Sequence, residues 1–242
     1  MIPSAPLTVV SWLWHDPQFR FRDRVTYGPE HVNVLRSMVR RNLSLPHEFV
    51  CITDDPAGLD PDIRVIPLWD DLRNLGGCYT RLKAFAPEMA EIIGPRFVWI
   101  DIDCVVTGSL DPLFSRTEDF VIWANGIGDP YCGSMVMMTA GARPQVWTEF
   151  DPIASPRASR DLGYIGTDQG WISACLGTEE ATWTAADGVL SRIHVMGGGL
   201  PGRARRMGRA RDPKDARIVF FHGPYDPQKL RETIPWIAEH WR

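Results

Sequence analysis

Four consecutive apolar residues, Phe97, Val98, Trp99 and Ile100, run straight into Asp101-Ile102-Asp103. A short, wholly apolar run bounded by polar residues reads as a buried strand, so the two acids stand at its carboxyl end. Open α/β sheets bind their ligands at that edge. The junction therefore fixes both where the core lies and where chemistry would be done. Period-two geometry puts Asp101 and Asp103 on the same side of the strand. Like charges held so close repel, and a divalent cation is the readiest relief. Two carboxylates suit Mg2+ or Mn2+, and an added imidazole tilts the choice toward Mn2+. The plainer alternative is a pair of acids that cap a strand and face water.

The rest of the chain supplies a sheet for that strand. Residues 7–14 (LTVVSWLW) are a β-branched and aromatic run that predicts a first buried strand. Pro29 fits the first position of a helix, and Val32, Leu35, Met38, Val39 and Leu43 follow at helical spacing. Pro46 ends that helix, and residues 48–53 read as a second strand closed by the turn former Asp54-Asp55-Pro56. Strand, helix, strand in this order implies a parallel crossover. Further strands are expected at 63–68, 120–124, 134–138, 189–195 and 217–221, and helices at 79–93, 143–150 and 167–175. Pro87 should bend or split the first of these helices, and Pro235 interrupts a last helix carrying Leu230, Ile234 and Ile237. No repeat or long linker appears. The expectation is one α/β domain over residues 1–242, a mostly parallel sheet flanked by helices with its binding cleft at the strand C-terminal edge.

Composition narrows the class further. With 44 % apolar and 23 % charged residues the chain is that of an ordinary globular protein. No apolar run reaches the ~20 residues of a membrane span. The N-terminal residues lack the basic start and long apolar stretch of an export signal, so the expected location is cytoplasmic. Five cysteines without a C-x-x-C pair read as buried thiols rather than zinc ligands. A net charge of −4 argues against a general nucleic-acid surface, although six arginines fall between Arg203 and Arg217. That stretch reads as a solvated loop, as a grip on a diphosphate, or as a site for an anionic acceptor.

Five segments in order resemble glycosyltransferase family 8, the glycogenin and bacterial lipopolysaccharide galactosyltransferase group with the GT-A fold. They are Tyr79-Thr80-Arg81-Leu82-Lys83, residues 97–106 continuing to Ser109-Leu110-Asp111, Cys132-Gly133-Ser134, Gly166-Thr167-Asp168-Gln169 and Phe221-His222-Gly223. The resemblance implies a transferase that takes a sugar from a nucleotide diphosphosugar, UDP-linked in the family, with retention. It implies Mn2+ (or Mg2+) held by Asp101, Asp103 and His222. Donor contacts would come from Val10, Ser11 and Trp12 at the end of the first strand, from Arg81, from Asp101-Ile102-Asp103, and from Gly223 and Lys229. Asp168 would accept hydrogen bonds from sugar hydroxyls, and Gln169 would lie near the anomeric carbon. A helix cap is the alternative reading of Thr167 or Asp168. Arg81 and Lys83 lie two apart and cannot share one helix face, so one donor contact is expected of the pair. The chain has His-Gly where the family has His-x-Gly-x-x-Lys-Pro-Trp, which makes Lys229 a stand-in for the family lysine. The acceptor stays open among a glycan, a lipid-linked glycan, a protein and a modified nucleic acid, and so does the oligomeric state.

Other readings compete. Residues 99–106 (WIDIDCVV) also resemble the D-x-D-x-[TV] of haloacid-dehalogenase phosphatases, which usually follows the first strand and needs a downstream acidic pair; here Asp168 stands alone. A sugar-nucleotide-binding protein without turnover is the non-enzymatic alternative. Gly197 to Gly202 spells G-x-G-x-x-G, but Pro201 interrupts it and it follows no first strand, so it reads as freedom for a mobile loop rather than a dinucleotide site. Trp12 and Trp14, then Trp171, are the aromatic candidates for stacking on the base or sugar.

Overall fold

Pro29 opens a helix, α1 (Pro29–Asn42), whose Val32, Leu35, Met38 and Val39 are all buried. The ring of His31 closes its first turn, Nδ1 accepting the Gly28 amide at 3.2 Å. The computed structural model describes residues 6–15, 27–73, 75–126, 128–196, 213–223 and 225–242. Before α1 lies β1 (Leu7–Leu13), and after it come β2 (His47–Thr53), β3 (Arg64–Pro67), α2 (Met89–Ile92), β4 (Arg96–Ile100) and β5 (Cys104–Val106). Next are α3 (Asp111–Phe114), β6 (Phe120–Trp123), β7 (Cys132–Thr139), α4 (Gln145–Thr148), α5 (Ala154–Asp161), α6 (Asp168–Leu176) and β8 (Thr182–Trp183). The chain ends with β9 (Val189–Ser191), α7 (Arg192–Met196), β10 (Ile218–Phe220), α8 (Pro227–Leu230) and α9 (Pro235–His240).

Seven strands form one sheet in the order β3-β2-β1-β4-β7-β6-β8, parallel throughout except that β7 runs against both β4 and β6. A smaller sheet has the order β5-β10-β9. Period two sorts the core. Val98 and Ile100 join α1, α9 and the small sheet in one apolar cluster, while Phe97 and Trp99 join a second cluster with α2, α4, α6 and residues 77–85. The large sheet is thus covered on both faces, which is why β4 carries no polar residue between Phe97 and Ile100.

Three expectations need correction. The helix expected at 79–93 is a 3-10 segment, Gly77–Phe85, followed by the separate α2. Ala86 precedes Pro87 and is forced extended (φ −65, ψ 142), which splits the element. The strand expected at 189–195 stops at Ser191, whose hydroxyl accepts the Ile193 amide at 3.4 Å while His194 Nδ1 accepts the Ser191 amide at 3.0 Å. That reciprocal cap starts α7. Pro235, by contrast, interrupts the last helix as expected, beginning α9 after α8 has ended at Leu230. Of the cysteines, Cys51, Cys104 and Cys132 are buried thiols, but Cys175 is half-buried and Cys78 exposed.

Candidate functional site

The Asp-x-Asp segment is where the chain passes from the large sheet to the small one. The Asp101 amide donates to the Ser134 carbonyl at 2.9 Å and so extends the β4–β7 ladder. Two residues on, the Asp103 carbonyl accepts the Phe221 amide at 2.8 Å and extends the β5–β10 ladder. Asp101 and Asp103 therefore do not share one strand face as period two predicts, because β4 has ended at Ile100 and β5 begins at Cys104. Ile102, between them, is buried in the core.

Asp101 turns to the layer below. Its carboxylate pairs with Nη1 of Arg81, and Nη2 of the same guanidinium donates to Asp168 Oδ2 at 2.5 Å. Arg81 and Asp168 are buried, whereas Asp101 keeps 22 % of its side chain exposed. Burial works against the Arg81 charge, but the two carboxylates outweigh it and hold its pKa well above the ordinary arginine value. Burial also raises the Asp168 carboxyl, with Arg81 opposing. Gly133 makes this packing possible: a Cβ there would meet Asp168 Oδ2 at 2.9 Å and Arg81 Nη2 at 3.3 Å. Its carbonyl in turn accepts the Trp99 indole at 2.7 Å, tying the lead-in strand to the site.

Asp103 turns to the layer above, where Tyr27 Oη donates to its Oδ2 at 3.2 Å. Burial first, and the Asp101 charge second, push the Asp103 carboxyl up to about 8, while burial and Asp103 raise the Tyr27 phenol. Tyr27 stands edge-on to His31, with ring centroids 5.1 Å apart, and His31 Nε2 lies 3.2 Å from Asp226 at the start of α8. The His31 Nδ1 acceptor role puts its proton on Nε2, so the ring donates to Asp226. Sequence reading missed Tyr27, since nothing local distinguishes a loop tyrosine.

His222 follows β10 and stacks on Trp123 with centroids 6.0 Å apart. Burial is the main cause that lowers its imidazole pKa, with Asp101 acting the other way. Its Nε2 is buried and has no hydrogen-bond partner among the described residues. Gly223 adopts φ +72, the left-handed region that favours glycine.

Gln169 donates from Nε2 to the buried Asp129 at 3.1 Å, and Asp129 also accepts the Ile165 amide at 3.1 Å. Thr167, at the N-cap of α6, makes no side-chain cap bond, and the Asp168 carboxylate is directed to Arg81. Lys83 leaves the site for Glu88 and lies over the Trp147 ring at 4.7 Å. Val10 and Trp12 are buried in the core, Trp12 against Trp14 and Trp69, and Ser11 donates to the Val50 carbonyl at 3.3 Å. The Trp171 indole is tied to the Val146 carbonyl at 2.9 Å. Lys229 is exposed on α8. The glycine run 197–202 and the arginines at 203, 205, 206, 209 and 211 lie outside the described residues.

The donor set near the junction, two carboxylates and an imidazole with an unsatisfied buried nitrogen, is chemically suited to a divalent ion. Among the described residues, however, no three His, Cys, Asp or Glu side chains converge as a ready-made metal cluster. No helix among them is long and apolar enough to cross a membrane.

No protein-family model and no curated protein sequence matches the chain. Its fold is nevertheless that of solved glycosyltransferases. The galactosyltransferase LgtC, solved with donor and acceptor sugar analogues, superposes with a TM-score of 0.58 at 12 % identity, over 98 % of this chain and 97 % of that one. An LgtC active-site variant with glutamine replaced by glutamate gives 0.59 at 12 % identity, over 96 % and 93 %. The bifunctional glycosyltransferase WbbM gives 0.55 at 11 % identity, over 99 % of this chain and 52 % of that one. The chain thus has the α/β, GT-A-type fold, with a mostly parallel sheet flanked by helices.

Proposed function

We propose that this protein is a glycosyltransferase that moves a sugar from a nucleotide diphosphosugar, with UDP as the nucleotide, to an acceptor hydroxyl with retention. The observation that carries this reading is the buried Arg81 shared between Asp101 at a strand end and Asp168 at a helix start, with Asp103 and His222 alongside. Two carboxylates share one guanidinium, and a third carboxyl, Asp103, lies two residues along the chain, an excess of acids over cations at a sheet edge that favours a cationic or cation-bound ligand. Asp101, Asp103 and His222 would hold Mn2+ (or Mg2+), which when bound supplies positive charge against the departing diphosphate.

In the reaction the bond between the anomeric carbon and the phosphate oxygen breaks, and the acceptor oxygen bonds that carbon on the same face. The acceptor proton passes to the departing phosphate oxygen, so a nucleoside diphosphate and a glycoside leave. The residues of this chain position the reactants. Asp168, fixed by Arg81, accepts from sugar hydroxyls, and Gln169, whose amide nitrogen is engaged by Asp129, turns its oxygen toward the anomeric carbon. Arg81 acts by organising two carboxylates rather than by reaching the donor alone. The backbone of Ser11 and Ile102, the Gly223 turn and Lys229 complete the proposed donor contacts. The phosphatase alternative requires a free aspartate nucleophile at the junction, and Asp101 is instead paired with Arg81.

The test is hydrolysis of nucleotide sugars, with and without Mn2+, by the wild type and Asp103→Ala. Metal-dependent release of the nucleoside diphosphate by the wild type, lost in a variant with an unchanged circular dichroism spectrum, is expected. Undiminished turnover in Asp103→Ala sinks the assignment.

A further inference from the structure

Residues from three strands meet at one edge of the small sheet. β9 and β10 run parallel with Ser191 level with Phe220, so Arg192 and Phe221 leave the sheet side by side and His222 follows. On the other flank β5 pairs Cys104 with Phe220, which brings Asp103 to the same edge. Register thereby brings Asp103, Arg192 and His222 to one edge of the small sheet.

Arg192 is a buried residue, and its guanidinium carbon lies 3.6 Å from the ring centre of Tyr225. A ring on the flat face of a guanidinium leaves hydrogen bonding to the plane of the group, the geometry in which arginine grips phosphate oxygens. Burial lowers the Arg192 pKa from its ordinary value. His194 turns its Nδ1 to the Ser191 amide at 3.0 Å.

A guanidinium thus stands at the same sheet edge as the Asp103 carboxyl, with Asp101 the next acid along the chain. Carboxylates with a cation beside them match a ligand that is a metal ion joined to a diphosphate.

We propose that Arg192 is a diphosphate-binding residue of the donor site, supplying from the end of β9 the cation that the exposed Lys229 is expected to supply. The inference rests on the nucleotide-sugar reading above. Arg192 acts by direct contact with phosphate oxygens, and Tyr225 keeps its guanidinium in the required plane.

The experiment is calorimetric titration of UDP and of uridine, with Mn2+ present, into the wild type, Arg192→Met, Arg192→Lys, Tyr225→Leu and Lys229→Met, with GDP, ADP and CDP run in parallel. Arg192→Met is expected to weaken UDP binding by about tenfold or more while uridine binding stays unchanged, because only the charged hydrogen bonds to phosphate are lost. Arg192→Lys should recover part of the loss, and Lys229→Met should weaken UDP by less than about threefold, as exposed charges do. Tyr225 is 40 % exposed, so Tyr225→Leu keeps the test open if Arg192→Met does not fold. It should weaken UDP by about threefold and leave uridine alone, the loss of one cation–π contact. Equal weakening of UDP and uridine, or UDP binding unchanged in both Arg192→Met and Tyr225→Leu, overturns the role of Arg192 and leaves the transferase reading standing. A wild type that binds none of the four nucleoside diphosphates overturns both.

Discussion

Arg81 holds two carboxylates with one guanidinium inside the fold, and the energetic weight of such a residue differs from that of a surface pair. Arg73 with Asp70, both well exposed, is worth about 0–1 kcal/mol. Removing Arg81 leaves Asp101 and a buried Asp168 without their cation, a loss of about 3–5 kcal/mol. Arg81→Met is therefore expected to lower the urea midpoint strongly at pH 7. The deficit should shrink as the pH falls, because Asp168, already raised by burial, then takes a proton and ceases to be a buried charge. A deficit that grows toward low pH contradicts this account. Asp103 gives the opposite kind of test. Its folded value of about 8 lies above the ordinary 3.8, so between those values the fold binds a proton that the unfolded chain releases. Stability of the metal-free protein should fall as pH rises through that window, by up to about 1.4 kcal/mol per pH unit, and level off above 8. Urea titrations in EDTA from pH 5 to 9 should find that slope in the wild type and not in Asp103→Asn (pH values are about one unit apart, as suits a shift of this size).

The elements differ in how well the sequence announces them. β1, α1, β2 and β4 are written in periodicity and proline placement, and they appear as expected. The 3-10 segment Gly77–Phe85 could not be told from an α-helix by apolar spacing, since both repeats leave Leu82 and Phe85 on the core side. α5 was illegible for a different reason. Its flanking Ile153 and Leu162 are 66 % and 61 % exposed, and it is started by Asp151 accepting the Ile153 and Ala154 amides, so it offers no apolar stripe to read. In the candidate site, Asp101, Asp103, Asp168 and Gln169 were legible as candidates because strand-end and helix-start chemistry is local. Tyr27, Asp129 and Arg192 were not, because each is brought in from a distant element. Gly133 in β7 joins the two categories: its motif is visible, but its reason is the approach of Asp168 and Arg81. Gly133→Ala should push that pair apart and lower kcat about tenfold or more, a misplacement effect, while the protein stays folded. Transfer at the wild-type rate by Gly133→Ala shows that the close approach is unnecessary.

At the scale of the whole molecule, the two sheets are joined where the Asp-x-Asp segment passes between them, and each contributes different groups to the seam. The large sheet and its lower layer bring Asp101, Arg81 and Asp168; the small sheet brings Asp103, His222 and Arg192. A ligand that touches both halves must stabilise the molecule as one unit, because neither sheet can open without releasing it. At a concentration about 100 times its dissociation constant such a ligand adds about 2.7 kcal/mol. For a chain of this size that corresponds to a rise in Tm of roughly 5–10 °C. Nucleoside diphosphate with Mn2+ should produce this rise, and neither component alone should match it. Hydrogen exchange locates the effect: the Phe221 amide, bonded to the Asp103 carbonyl at 2.8 Å, and the Asp101 amide, bonded to the Ser134 carbonyl at 2.9 Å, latch the segment to the two sheets. Both should exchange more slowly in the complex, since local opening at either latch then breaks ligand contacts as well. Protection confined to the Asp101 side would place the ligand on the large sheet alone and remove the small sheet from the donor site.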